Sequence, residues 1–280
     1  MSNQTWFITG ISSGFGRLMA EKLLSRGDRV AGTVRKPNAA EDLKSQHGDR
    51  LWITTLDMTD IPAVGRAVDE AFAAFGRIDV VVNNAGYGLF GAVEGLSEAQ
   101  IRDQIDTNLV GPIHVTRAAI PHLRDQGGGR IIQISTYGGQ AAQAGSSLYH
   151  AGKWGLEGFS EAIAQEVAPF GIGVTIAEPG GARTGFRAAA GANLGEKLAV
   201  YDGTPAGMVH TILQDPTRKP NGDPARMVDM IIESAAQSPA PRRLVLGSDA
   251  FAAIHGALSK RLAEVEAQRH SAPLTDLQAP

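Results

Sequence analysis

Short runs rich in β-branched and aliphatic residues recur along this chain at 5–9, 29–34, 51–56, 78–82, 130–135, 173–177 and 243–246, with stretches of helical period between nearly every pair, the first at 17–24. That alternation leaves few folds open. Several runs are apolar at successive positions, as in Asp79-Val80-Val81-Val82 and Ile131-Ile132-Gln133-Ile134, a pattern suited to strands covered on both faces. Seven such strands with helices between them predict an α/β fold: a Rossmann-like, doubly wound, parallel seven-stranded sheet with helices on both faces. No repeat, charge block or linker divides the sequence, so residues 1–280 read as a single domain. The pattern breaks at about 180–223, where a Gly/Ala-rich run at 188–192, then Asp215-Pro216 and Lys219-Pro220, make a connection too long for an ordinary loop; it reads as a substrate lid with short helices. A charged helical tail at 259–270 leads into Pro-bearing residues expected to fray.

Composition narrows the function. Charged residues are 20% of the chain and the net charge is −3, which argues against nucleic-acid and polybasic membrane partners. With no cysteine, thiolate nucleophiles and Cys-based metal sites are excluded and a reducing compartment is suited. Residues 1–5 carry no basic region ahead of an apolar segment, and no 18 apolar residues run uninterrupted, so neither signal peptide nor membrane span is expected and a cytoplasmic protein is the default. The seven histidines are scattered without ligand spacing, so no metal is expected; His150 is expected to face away from its neighbours Tyr149 and Lys153.

Chemistry gathers where the predicted strands end. After the first strand comes Thr9-Gly10-Ile11-Ser12-Ser13-Gly14-Phe15-Gly16, opening into a helix. Glycines there let the backbone turn sharply and bring a pyrophosphate against free N–H groups at the positive end of the helix dipole. The spacing, Gly-x3-Gly-x-Gly, differs from the commoner Gly-x-Gly-x-x-Gly. Tyr149 and Lys153 are four apart in a segment of helical period at 147–168, so both project from one face. A neighbouring ammonium favours phenolate, and two to three units of depression from about 10 would bring the phenol within reach of acid–base work. Pro112 has no N–H to give the carbonyl of Asn108 four residues earlier, so the helix expected at 97–123 should kink there with that carbonyl free.

These motifs, with Asn83-Asn84-Ala85-Gly86 after the fourth strand and Pro179-Gly180-Gly181-Ala182-Arg183-Thr184 after the sixth, closely resemble the short-chain dehydrogenase/reductase family over nearly the whole chain and in the family's order. The resemblance implies that Tyr149 exchanges the substrate hydroxyl proton, that Lys153 also holds the nicotinamide ribose, and that the main chain of Asn108 holds a water touching Lys153. It places a polarising hydroxyl thirteen residues before the tyrosine, at Thr136 where serine is usual, with Ser135 as the substitute. It also implies a cofactor site made of Gly10, Ser12, Ser13, Gly14, Phe15 and Gly16 at the phosphates, Asp57 and Met58 at the adenine, Asn84, Ala85 and Gly86 along the fourth strand's end, and Pro179, Gly180, Ala182 and Thr184 at the nicotinamide. Asn83 should fix neighbouring strand backbone, and a helix cap is the other role open to Asp57.

At the end of the second strand Val34 stands where an acid would mark NAD, and Arg35 follows, suited with Lys36 to a 2′-phosphate. NADP(H) is therefore expected over NAD. Substrate contacts are expected from 87–90, 137–143 and the lid with Phe186 and Tyr201, Arg183 and Arg187 being read as surface charges. These segments are largely apolar, which points to a moderately apolar carbonyl or secondary alcohol. The alternatives are a sugar-nucleotide epimerase or dehydratase and a non-catalytic NADP-sensing protein. Related enzymes often pair through the helices matching 97–123 and 147–168, implying a homodimer or homotetramer.

Overall fold

A computed structural model describes residues 3–215 and 217–277; Met1, Ser2, Pro216 and residues 278–280, among them the end of the tail, lie outside them. Its strands are β1 (Thr5–Ile8), β2 (Arg29–Val34), β3 (Leu51–Thr55), β4 (Val80–Asn83), β5 (Gly129–Ile134), β6 (Ile172–Pro179) and β7 (Arg243–Leu246). All pair in parallel, in the order β3-β2-β1-β4-β5-β6-β7, so the expected doubly wound sheet is present. The helices are α1 (Gly14–Ser25), α2 (Glu41–His47), α3 (Ile61–Phe75), α4 (Glu98–Ile105), α5 (Gly111–Asp125), α6 (Ser147–Val167), α7 (Phe186–Ala192), α8 (Met208–Gln214), α9 (Pro224–Ser234) and α10 (Ser248–Glu266).

Strand pleating sorts the apolar runs onto two faces. Trp6, Ile8, Val80 and Val82 bury against Met19 and Leu23 of α1 and Val228 and Ile231 of α9. Phe7, Val81, Ile131 and Val174 bury against Val64 and Val68 of α3, Val115 and Ala119 of α5 and Ile163 of α6. Both faces being dry explains why the runs show no polar alternation.

Two elements differ from expectation. The helix predicted over 97–123 begins with a capping box between Ser97 and Gln100, but it divides into α4, a π-helical turn at Asp106–Val110, and α5. Pro112 cannot donate, and the Gly111 N–H reaches back five residues to the Asp106 carbonyl. The extra residue per turn is accommodated locally instead of by a sharp kink. The predicted tail helix starts eleven residues earlier, at Ser248, and Pro273 sits in a 3₁₀ turn, Ala272–Thr275, instead of a frayed end. The lid carries α7, a 3₁₀ turn at Ala199–Tyr201 and α8, and is tied down by backbone pairing of Phe90 with Leu194 and of Ala182 with Gly222.

Candidate active site

In a parallel sheet the carboxyl ends of the strands form one edge, and the loops leaving them enclose a cleft of about 1070 Å³. At its floor Gly10 (φ +76°) and Gly14 (φ +59°) take the left-handed backbone that only glycine adopts readily. The Thr9 hydroxyl accepts hydrogen bonds from the Asn84 and Ala85 N–H groups, each at 2.9 Å, and the Asn84 amide donates back to the carbonyls of Thr9 and Gly10. The turn after β1 is thereby laced to the turn after β4. Asn83, expected to fix strand backbone, instead donates to Thr116 and the Pro112 carbonyl on α5; Asn84 makes the inter-strand tie.

Whether a dinucleotide fits can be judged from two features. Ser13 stands at the N-cap of α1 with no cap bond from its side chain, leaving first-turn N–H groups free for an anion. A Cβ on Gly16 would fall inside contact distance of the Gly10 carbonyl oxygen, so glycine there is what lets the turn close on the helix. Ser12, Ser13, Gly14 and Phe15 line the cleft; Gly16 lies behind it. Arg35, exposed past β2, lines the same end and pairs with no carboxylate among the described residues. Asp57 and Met58 line it too. The Asp57 carboxyl accepts from the Thr59 N–H and hydroxyl, which hold it below the usual carboxylate range, with a smaller pull from Arg35. It caps no helix: Asp60 caps α3, accepting from the Ala63 N–H at 3.0 Å.

Further along, α6 begins beside the turn that follows β5. Lys153 is 6% exposed and donates to the Ile134 carbonyl at 2.7 Å. Burial pushes its pKa down to about 8, with Glu157 pulling the other way. Tyr149, half-buried one helical turn away, packs its ring 5.5 Å from that of Phe90 and 5.8 Å from that of Phe186. Burial pushes the phenol up, with the neighbouring Thr136 hydroxyl pulling the other way; the depression expected from a neighbouring ammonium does not appear, because desolvation of the phenolate dominates. Thr136 caps the 3₁₀ turn Tyr137–Gly139 and donates to the Pro179 carbonyl at 3.2 Å. Ser135 also borders the cleft, but its hydroxyl is turned to Glu157 at 2.7 Å. The two candidate hydroxyls are thus separated by partner: Thr136 meets the phenol, and Ser135 does not.

Asn108 sits in the π-helical turn, wholly buried and outside the cleft wall. Its side-chain amide clamps the backbone of Tyr87, accepting from the N–H at 3.1 Å and donating to the carbonyl at 2.7 Å. A Cβ built on Gly86 would lie 3.0 Å from the Asn108 Oδ1 and 3.8 Å from the Lys153 amine, so Gly86, Asn108 and Lys153 converge.

Pro179, Gly180, Ala182 and Thr184 line the opposite wall. The Thr184 hydroxyl accepts from the Phe186 N–H at the start of α7, and the Gly181 N–H donates to the Asp249 carboxylate at 2.8 Å; no local pattern marked Asp249, which arrives from α10. The lid end is apolar, with Phe186, Ala189, Val209, Ile212 and Leu213. Tyr201, expected here, points elsewhere and bonds Glu94. Arg183 bonds the Pro220 carbonyl, whereas Arg187, read as a surface charge, lines the cleft and binds the Ile212 carbonyl, joining α7 to α8. His150 likewise does not face away: its ring is 6.0 Å from that of Tyr149, and its Nδ1 meets the Gly138 carbonyl at 2.6 Å. No cluster of three metal-ligating side chains occurs among the described residues.

This fold and this cleft define an oxidoreductase that takes a nicotinamide cofactor. The chain belongs to the short-chain dehydrogenases, whose family model matches residues 4–195. It is 38% identical over 250 residues, 88% of this chain and 89% of the other, to oxidoreductase BOA17 of Botryotinia fuckeliana. To 3-ketodihydrosphingosine reductase of Bacteroides thetaiotaomicron it is 39% identical over 186 residues, 66% of each chain. A solved short-chain dehydrogenase from Streptomyces avermitilis superposes with a TM-score of 0.88 at 37% identity, covering 98% of this chain and 99% of that one.

Proposed function

We propose that the protein is an NADP(H)-dependent reductase and dehydrogenase that interconverts a moderately apolar carbonyl compound and its secondary alcohol. The observation that carries this reading is the meeting, in one cleft, of Tyr149 and Thr136 with the buried Lys153 amine at the foot of the same helical turn.

The nicotinamide cofactor, when bound, gives hydride to the carbonyl carbon or takes it from the alcohol. Gly10, Ser12, Ser13, Gly14 and Phe15, with Gly16 behind them, hold its phosphates. Asp57 and Met58 flank the adenine, Asn84, Ala85 and Gly86 let it lie close to β4, and Pro179, Gly180, Ala182 and Thr184 bound the nicotinamide. Arg35 receives the 2′-phosphate, since a free guanidinium with no carboxylate partner suits a dianion and an acidic residue would suit a bare ribose. Tyr149 donates its proton to the substrate oxygen in reduction; a raised phenol pKa keeps that proton in place at neutral pH. Thr136 orients the same oxygen, and Lys153 adds positive charge beneath the phenol and holds the ribose. Asn108 fixes the loop at Tyr87 and supports Lys153. The apolar lid wall selects against sugar nucleotides and for an apolar ketone or aldehyde, in keeping with the keto group in the name of the Bacteroides relative.

NADPH oxidation followed against a panel of apolar ketones and aldehydes tests the reading. Turnover with the wild type and its near loss in Tyr149→Phe are expected. A preference for NADH overturns the cofactor assignment, and Tyr149→Phe with full activity overturns the mechanism.

A further inference from the structure

Behind the reacting groups lies a second cluster, built on two buried carboxyls. Glu157, one helical turn after Lys153 on α6, is 4% exposed and Glu178, at the end of β6, is 0% exposed; both carboxyls accept from the same guanidinium, which brings them together. One guanidinium hydrogen-bonds both. Arg243 of β7 donates to Glu157 at 3.0 Å, to Glu178 at 3.1 Å, and to Glu161 at the rim. Three carboxyl groups therefore face one guanidinium, and two of them, Glu157 and Glu178, are buried, where a second uncompensated negative charge is heavily penalised. The oxygens show where the imbalance falls. Glu157 Oε1 accepts from Ser135 and Oε2 from Arg243; Glu178 Oε1 accepts from Gln140 and Arg243, while Glu178 Oε2 is buried and no donor reaches it.

We propose that Glu157 and Glu178 share one proton, carried on Glu178 Oε2 and donated to Glu157, and that this acid–carboxylate pair is the positioning element for Thr136. Both ends of the turn that Thr136 caps are held by it. Ser135, the preceding residue, bonds Glu157; Gln140, the residue closing the turn, bonds Glu178. Pro179, whose carbonyl accepts from Thr136, follows Glu178 directly. A Cβ on Gly139 would overlap the Glu157 carboxylate and lie 2.6 Å from the Ser135 oxygen, so the turn has no side chain where the pair presses against it. Burial and the nearby Glu157 charge push the Glu178 carboxyl up to about 7. The charged and titratable groups facing the pair are Lys153 and Glu161 on α6 and Arg243 on β7. From α10, Arg261 reaches the Gln140 carbonyl at 2.8 Å; from α6, His150 touches the Gly138 carbonyl, and Tyr137 lies in the turn itself. The residues directly after β5 contribute the hydroxyls of Ser135 and Thr136. Loss of the shared proton sets two carboxylates against each other and frees the turn, so kcat falls as pH rises through about 7, ahead of any loss of charge at Lys153.

The consequence for kcat rests on the catalytic reading of Thr136, but the proton itself does not, and the test separates the two. A difference infrared titration of the full-length protein reads protonated carboxyl groups directly. A protonated-carboxyl band persisting at about pH 6 and gone by about pH 8.5 is expected, because ordinary carboxyls have lost their protons by about pH 5.5. Its absence at pH 6 in the wild type overturns the proposal without any variant. In Glu178→Gln the band disappears. The wild type's melting temperature, referred to that of the variant, falls between about pH 5 and pH 7, since a raised native pKa stabilises below the unfolded value and the benefit fades as pH climbs through the native one. The descending kcat limb near pH 7 is lost as well, which a merely structural role would not produce. A Glu178→Gln profile with the band and the limb both intact overturns the proposal. If the wild type reduces no carbonyl at all, the functional reading fails while the infrared band still decides the proton.

Discussion

Thr136 and Ser135 are adjacent hydroxyls at the end of one strand, and pleating sends them to opposite partners, one to the Tyr149 phenol and one to the Glu157 carboxylate. Thr136→Ala should therefore lower kcat by about 10²–10³, the scale of one lost donor at a developing oxyanion. Ser135→Ala should lower it far less and act mainly on the melting temperature; steady-state kinetics and a thermal scan on both variants check this. Lys153 carries its own pH signature. Because burial holds it at about 8 and not at the 10.5 of a free lysine, its charge is present at neutral pH and lost as pH climbs through 8. The matching rate limb should vanish in Lys153→Arg, whose guanidinium stays charged, as a pH–kcat/KM series would read. The Tyr149-Lys153 pair was legible because both residues lie on one helix, and the count back to Thr136 followed from resemblance. Glu157, Asp249 and the reversed direction of the phenol's shift were not, since each depends on contacts between elements far apart in the chain.

At the scale of elements, strands were the most legible part, because a run dry on both faces leaves a continuous apolar signature, here short and rich in β-branched residues, which sets it apart from the longer helical periods. The π-helical turn at Asp106–Val110 was legible only as a proline in the wrong place. Pro112 announces a missing donor, but whether the ladder kinks or slips by one residue is decided by packing, here of Gly152 on α6, whose Cβ position lies 3.4 Å from that of Asn108. Short lid helices of seven residues carry too little periodicity to be bounded from sequence, and the lid's pairing of Leu194 with Phe90 joins residues about a hundred positions apart. Asp60 offers a clean test of an element that does not touch the cleft. Asp60→Ala removes the cap of α3 and should cost about 1 kcal/mol, visible as a lower midpoint in urea, with the affinity for NADPH unchanged by fluorescence titration.

For the whole molecule, the cofactor end of the cleft is assembled from the turns after β1, β2, β3 and β4, elements at the centre and one edge of the sheet. A ligand seated there braces the native state against unfolding by about 2.7 kcal/mol at a hundredfold excess over its Kd. NADPH should thus raise the melting temperature by several degrees more than NADH at equal concentration, and Arg35→Ala should erase that difference; equal shifts in the wild type would contradict the 2′-phosphate assignment.

The lid is attached differently from everything beneath it. Besides side-chain contacts such as Tyr201 with Glu94 and Phe186 with Tyr149, it meets the body through main-chain bonds, Gly195 to Phe90 at 2.8 Å and Glu196 to Gly95 at 2.7 Å, while the glycine turn after β1 is tied to the turn after β4 and not to the lid. Holding and transforming are consequently severable in this protein: limited proteolysis within 185–222 should yield a nicked species that retains NADPH fluorescence enhancement yet has lost turnover, a division of labour written into which segments are bolted to the sheet and which merely rest on it.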